Sequence, residues 1–374
     1  MKSKLVLVLC ALTILCLAPP AASSADQPIK IGLILPITGP AAAYGDMALA
    51  GLKLAHAHRP DVLGRPVELV LTDNKSDKVE STNAANRLIQ RDRVDAIIGA
   101  LSSSPTLAAA PIAEAAGVPM VSGWATNPLV TKGKKYVFRT CFIDPFQGGV
   151  AADFAYNDLK ARRAAVMMDV SRDYSVGLGS FFLRSFKKLG GQVAQVVKYS
   201  HGDQEFSAQL GTVKAAGVDL IYLPGYLPEE PLIIRQAREM GLQQPFLSGD
   251  AAQADETVKI GGQAVEGLYL TTHFDEGGVS TQAGKLYAKA YREKYHKAPD
   301  ALGALGYDTY NILLNAMAQA GSVKPAEVVK ALEATKDFPG VCGRTSLVEH
   351  DAVKTAVILT IKDGKFIYVT TVEP

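Results

Sequence analysis

The chain has 374 residues, 39 basic against 37 acidic, with 48% hydrophobic residues and no run of like charge. Without a basic patch, the composition excludes a nucleic-acid or anionic-membrane partner and favours a small, weakly charged ligand. The length exceeds what one hydrophobic core fills, which favours two domains.

Lys2 and Lys4 precede an apolar run from Leu5 to Ala18, then Pro19, Pro20 and the small-residue stretch AASSA. The pattern is that of a secretory signal cleaved after Ala25, and the run is short for a membrane span. Cys10 and Cys16 both follow Leu, where a lipoprotein would carry a small residue. Removing residues 1–25 takes two lysines and no acid, leaving 37 basic against 37 acidic residues. Of the cysteines only Cys141 and Cys342 remain. An exported pair is more often bridged than free, so a disulfide between them is a candidate, although their spacing says nothing about proximity. The histidines are scattered and neither CxxC nor HExxH occurs, so no metal or other cofactor is expected.

Short apolar or β-branched runs then alternate with helical periodicity. KIGLILPI (30–37), PVELVLTDN (66–74), VDAIIGA (94–100) and VPMVSG (118–123) read as strands of βαβ units. A second set follows at 163–169, 191–199, 218–225, 245–250 and 265–274, and VDLIYLPG in it echoes VDAIIGA. The repeat predicts two α/β lobes with parallel sheets, and YVFRTCFID (136–144) as the first crossing between them. Helices are predicted near 280–296, 302–320 and 325–335, and a strand pair joined by Asp363-Gly364 closes the chain. The lobes are expected to comprise 26–143 plus 274–350 and 144–273 plus 351–374, with hinging crossings rather than a floppy tether.

Ligands of open parallel sheets bind beyond the carboxyl ends of the strands, where helix N-termini converge. The serines Ser102-Ser103-Ser104 occupy such a place. A nucleophile would need GxSxG with a histidine and an acid, but the flanks are Leu101 and Pro105. Ser104 before Pro105 reads as an N-cap, and Ser103 as a hydroxyl able to hold a carboxylate beside a helix N-terminus. WATNP (124–128) repeats these elements. No phosphate loop of the GxxxxGK[ST] or GxGxxG kind occurs at these positions.

The stretches IGLILPITGPAAAYGDMALAG (31–51), IIGALSSSPTLAAAPIAEAAGVPMVSGWATNP (97–128), YVFRTCFIDPFQG (136–148), GYLPEEPLIIRQAREMGL (225–242) and ALGALGYDTYNILLNA (301–316) resemble, in this order, the periplasmic solute-binding proteins of branched-chain amino acid transport. The resemblance covers essentially the whole mature chain. It implies a type I periplasmic-binding fold: two Rossmann-like lobes, joined by three crossings, close over a small solute. The implied protein is a non-enzymatic periplasmic monomer that delivers an aliphatic amino acid to an inner-membrane ABC permease.

Carried over residue by residue, the resemblance assigns the ligand carboxylate to Ser103 and Thr126. It assigns the ammonium to Asp250 and the Ala125 carbonyl, and the side chain to Tyr44, Tyr174 and Tyr226. Asp250 stands where amino-acid binders often carry glutamate, which keeps an amide, urea or aromatic-acid ligand open as an alternative. Two readings from other classes also stay open, a secreted hydrolase using Ser103 and a soluble ligand domain of a sensory system.

Overall fold

A computed structural model describes residues 27–374; the expected signal segment, residues 1–25, lies outside them. The repeat seen in the sequence becomes two separate sheets. The first holds β1 (Ile29–Leu35), β2 (Asp61–Val62), β3 (Arg65–Asp73), β4 (Ala96–Gly99), β5 (Met120–Ser122) and β6 (Val137–Arg139), in the order β2-β3-β1-β4-β5-β6. The second holds β7 (Arg163–Asp169), β8 (Gln192–Tyr199), β9 (Leu220–Tyr222), β10 (Phe246–Ser248) and β11 (Tyr269–Thr272), ordered β8-β7-β9-β10-β11.

Apart from the β2–β3 hairpin, every pairing among these strands is parallel. Parallel strands need crossover helices on both faces, and so read as near-continuous apolar runs; AIIG and MVS are buried throughout. Helices α1 (Ala42–His58), α2 (Lys78–Arg87) and α3 (Ser103–Ala116) supply the crossovers of the first sheet. Helices α4 (Asp144–Asp153), α5 (Asp173–Lys188), α6 (Ser207–Ala215), α7 (Glu229–Glu239) and α8 (Asp255–Gly261) accompany the second.

The two sheets share one winding. Leaving aside the hairpin strand, β3-β1-β4-β5-β6 corresponds to β8-β7-β9-β10-β11. In each, the chain reverses its winding direction beside the first strand, so a crevice opens at the carboxyl ends of β1 and β4 and of β7 and β9. Those are the loops that carry the residues singled out in the sequence.

After β11 the chain returns through α9 (Gln282–Tyr295), α10 (Ala301–Ala320) and α11 (Pro325–Glu333). Helix α10 is capped by the Asp300 carboxylate, which accepts from the Gly303 N–H at 2.7 Å. It lies so close to α1 that a Cβ on Gly51 would stand 1.8 Å from the Gly303 carbonyl oxygen; any side chain there would force the helices apart. A three-stranded sheet that the sequence reading did not anticipate follows: β12 (Phe338–Gly340), β13 (Gly343–Val348) and β14 (Asp351–Val353). It docks on β6, where the Arg139 N–H donates to the His350 carbonyl at 2.9 Å.

The final strands β15 (Ala356–Lys362) and β16 (Lys365–Val372) add to the second sheet, β15 pairing antiparallel with β11. Their turn is Asp363-Gly364 as expected, both at positive φ, the geometry a two-residue hairpin of right-twisted strands requires. The chain thus passes between the sheets three times, at residues 140–143, after Thr272 and at 354–355.

The candidate disulfide is corrected. Cys141 and Cys342 are both free and buried. Burial raises both thiols well above their ordinary range. Each is enclosed near a passage between the lobes, and Cys342 is fixed through its backbone N–H, which donates to the Asp308 carboxylate at 2.9 Å.

Candidate functional site

The lobes are closed on one another. Tyr44, in the first turn of α1, donates from its hydroxyl to the Ala251 carbonyl and accepts from the Leu227 N–H, both at 3.0 Å. Asn127 donates to the Asp173 carbonyl at 2.9 Å, and Lys78 pairs with the Asp173 carboxylate at 3.1 Å. Between these contacts lies a cavity lined by Leu101, Ser102, Trp124 and Leu302 from one side and by Tyr174, Tyr226, Asp250 and Ala251 from the other, with Tyr44 spanning them. It shares Tyr44, Leu101, Ser102 and Tyr226 with an outer cavity rimmed by Lys75, Arg172 and His201.

Four of the residues singled out in the sequence therefore line one space: Tyr44, Tyr174, Tyr226 and Asp250. The tyrosines form a connected group, with ring centroids 4.8 Å apart for Tyr174 and Tyr226 and 6.1 Å for Tyr44 and Tyr226. Burial raises all three phenols well above their usual value, so each stays a neutral donor. Asp250 begins the short turn after β10. Its Oδ1 accepts from the Tyr174 hydroxyl and from Gln147 Nε2, each at 2.9 Å, and its Oδ2 lies 3.4 Å from His273 Nε2. Gly249 makes room for this cluster: a Cβ there would stand 2.1 Å from the Tyr174 hydroxyl.

Burial opposes the charge on Asp250, but His273, Gln147 and Tyr174 together outweigh it and hold the carboxyl below its usual range. Two neighbouring acids behave differently. Burial pushes Asp144 up to about 7 and Glu230 up to about 8. Asp250 is thus the acid of this wall that keeps its charge at neutral pH.

On the opposite wall the serines are shifted from the expected roles. Helix α3 begins at Ser103, its N-cap residue is Ser102, and no side chain caps it. The Ser102 carbonyl accepts from both the N–H and the hydroxyl of Thr106, which starts the helix two residues ahead of Pro105. Proline fits in the first turn because its missing N–H would have no partner there. Ser104 is therefore not the cap; its hydroxyl accepts from the Asp173 N–H at 2.9 Å, across the cleft. Ser102, given no role in the sequence reading, faces the cavity, while Ser103 is buried behind it and accepts from the Asn127 N–H at 3.3 Å.

Thr126 is also fully buried; its hydroxyl has no close hydrogen-bond partner among the described residues and lies near the Asp144 carboxyl, whose ionised form it favours. The Ala125 carbonyl, expected to meet an ammonium, instead accepts from Arg139 Nη1 at 2.8 Å, a cation that would repel one. Arg139, fully buried on β6, also donates to the Asn127 carbonyl at 2.7 Å and to Thr131 at 2.9 Å, and pairs with Asp351 at 2.7 Å. One side chain thus ties two carbonyls of the WATNP loop to Asp351.

Sequence reasoning missed Arg139, Gln147 and His273. The strand-end rule could have found His273, one residue past β11, had that end been treated like the others.

The geometry defines a two-lobed receptor of the periplasmic-binding class. A sequence model described as periplasmic binding protein matches residues 28–365, and the chain belongs to that family. A leucine-, isoleucine-, valine-, threonine- and alanine-binding protein of Pseudomonas aeruginosa is 32% identical over 317 residues, 83% of this chain and 84% of that protein. A solved leucine-binding protein of Thermotoga maritima superposes with TM-score 0.91 at 47% identity, covering 92% of this chain and 99% of that one. A branched-chain amino acid transporter substrate-binding protein of Streptococcus pneumoniae, solved with isoleucine, does so with TM-score 0.87 at 33% identity, covering 93% and 100%.

Proposed function

We propose that this chain is the substrate-binding component of an ABC importer, which closes on an aliphatic, branched-chain amino acid and delivers it to an inner-membrane permease. The observation that carries the reading is the polarity of the cavity: an ionised Asp250 on one wall faces the N-terminus of α3 on the other, with tyrosines, Leu101, Trp124 and Leu302 between. Free N–H groups and the helix dipole favour a carboxylate at α3, and Asp250 favours an ammonium. A zwitterion meets both partners in the closed form alone, so each charge is paired as it leaves water.

In this reading Ser102, Ser103 and Thr126 serve the carboxylate end, Asp250 the amine, and Tyr44, Tyr174 and Tyr226 the walls. Closure hinges at the three passages, dividing the chain close to 26–143 plus 274–350 and 144–273 plus 351–374. Export through residues 1–25 and residence in the periplasm belong to the same proposal, as does action as a monomer. The family is one of solute binders, and no catalytic step is assigned: the Ser103 hydroxyl accepts from a backbone N–H rather than facing a base.

A thermal-shift screen of the mature chain against amino acids, amides and aromatic acids tests this, since a ligand bound only by the folded form raises stability by mass action. Leucine, isoleucine or valine should raise Tm most. A response confined to aromatic acids or amides would overturn the reading.

A further inference from the structure

Asp250 is not held by its own neighbourhood alone. Two of its partners come from segments where the chain passes between the lobes. Gln147 stands in the first turn of α4, directly after the first passage, and donates both to Asp250 and to Thr271, at 2.9 and 3.0 Å. His273 opens the second passage, with its ring stacked on Phe142 of the first, centroids 3.7 Å apart. The imidazole is 1% exposed, and neither ring nitrogen makes a hydrogen bond among the described residues, although Nε2 is 3.4 Å from Asp250 Oδ2. The charge of a buried imidazole beside a carboxylate is a contest between burial, which disfavours it, and the carboxylate, which favours it.

We propose that His273 is a positioning residue for amine recognition, and that its protonation competes with the ligand's ammonium for Asp250. The proposal rests on Asp250 as the amine's partner. With its single proton on Nε2, neutral His273 can donate to Oδ2 after a small approach, orienting the carboxylate and leaving its full charge to the ligand. A second proton, on Nδ1, makes an imidazolium that neutralises Asp250. Two cations then share one carboxylate in a site poor in water, so a bound ammonium expels that proton.

The surrounding groups define the pH window. Burial lowers the basicity of His273, Asp250 in the turn after β10 raises it again, and Lys354 of the third passage lowers it further, for a net decrease. His273 therefore charges on the acid side of the usual histidine value. Asp250 remains ionised there. Asp144 of α4 and Glu230 of α7 also act on the same cluster, but burial places them at about 7 and about 8. Both are already turning neutral where His273 begins to gain charge.

The test is calorimetric titration of the mature chain with leucine from about pH 8 to about pH 5, in pairs of buffers with different ionisation enthalpies. Below about pH 6.5 the Kd should rise by up to about tenfold per pH unit, with about one proton released per leucine bound. H273Q and H273N should lose both the acid limb and the proton release, while D144N keeps them. The wild-type proton count stands even if either His273 variant fails to fold. An acid limb that persists in H273Q, one that disappears in D144N instead, or a wild-type Kd flat to about pH 5 would overturn the proposal while leaving leucine as the ligand. Leucine failing to bind at any pH would overturn this proposal and the functional reading together.

Discussion

The two walls of the cleft solve opposite problems with opposite placements of charge. On the first wall the cation, Arg139, is hidden behind the WATNP loop and spends its donors on the Ala125 and Asn127 carbonyls, Thr131 and Asp351. What faces the cavity there is neutral: Leu101, Trp124, Leu302 and Ser102 at the start of α3. On the second wall the charge itself, Asp250, faces the cavity, and neutral donors hold it, Tyr174 from within the lining and Gln147 from behind. A buried ion can thus shape a site without touching the ligand, or touch the ligand because others shape it.

Removing Arg139 should have the largest effect. R139A strips Asp351 of its buried counter-ion and leaves the Ala125 carbonyl unpaired, and should destabilise the fold by about 3–5 kcal/mol in denaturant titration. Equal stability would mean that the loop holds itself. D250A should cost less stability and more affinity: losing one side of a desolvated charge pair is worth about 2–5 kcal/mol, so the Kd for leucine rises by roughly 30-fold or more.

Glu230 breaks the comparison in pH. Its folded value of about 8 lies above that of an unfolded glutamate, so the folded state binds the extra proton. The stability that Glu230 contributes should therefore fall as pH rises from about 4.5 to about 8, by at most about 1.4 kcal/mol per pH unit, on top of the fall below about pH 7 that Asp144 adds. E230Q should remove the part of the fall between about pH 7 and about pH 8 and make the rest shallower, as read by Tm against pH. T126V removes a hydroxyl that has no close hydrogen-bond partner among the described residues. It should weaken leucine binding about tenfold yet leave Tm unchanged or higher, because an unpaired buried hydroxyl is costly. The smallest effect is expected for K78A, whose pair with Asp173 bridges the lobes with both side chains substantially exposed; it should change the Kd by less than about fivefold.

Much of this was legible in the sequence, unevenly. The repeat of strand and helix gave the two lobes because parallel strands are apolar along their length and their crossovers are helical. The strand-end rule, with the resemblance, brought out Tyr44, Tyr174, Tyr226 and Asp250, since their loops follow β1, β7, β9 and β10. Arg139 stayed hidden because VFRT reads as any strand end, and its partner Asp351 lies 212 residues away. His273 and Gln147 matter only through Asp250, a relation that needs the passages between lobes to be folded together. The cap moved two residues, from Ser104 to Ser102, and the cavity-facing hydroxyl one, from Ser103 to Ser102, because Pro105 marks the first turn of α3 without marking which residue of that turn it is.

In the proposed binding mode one wall reads a carboxylate and the other an amine. Calorimetric titration with leucine, leucinamide and 4-methylpentanoate tests it directly. Leucine should bind tightly, and each analogue, lacking one charge, should bind at least about 30-fold more weakly. If 4-methylpentanoate binds as well as leucine, Asp250 does not read an amine, and the account of the second wall is contradicted.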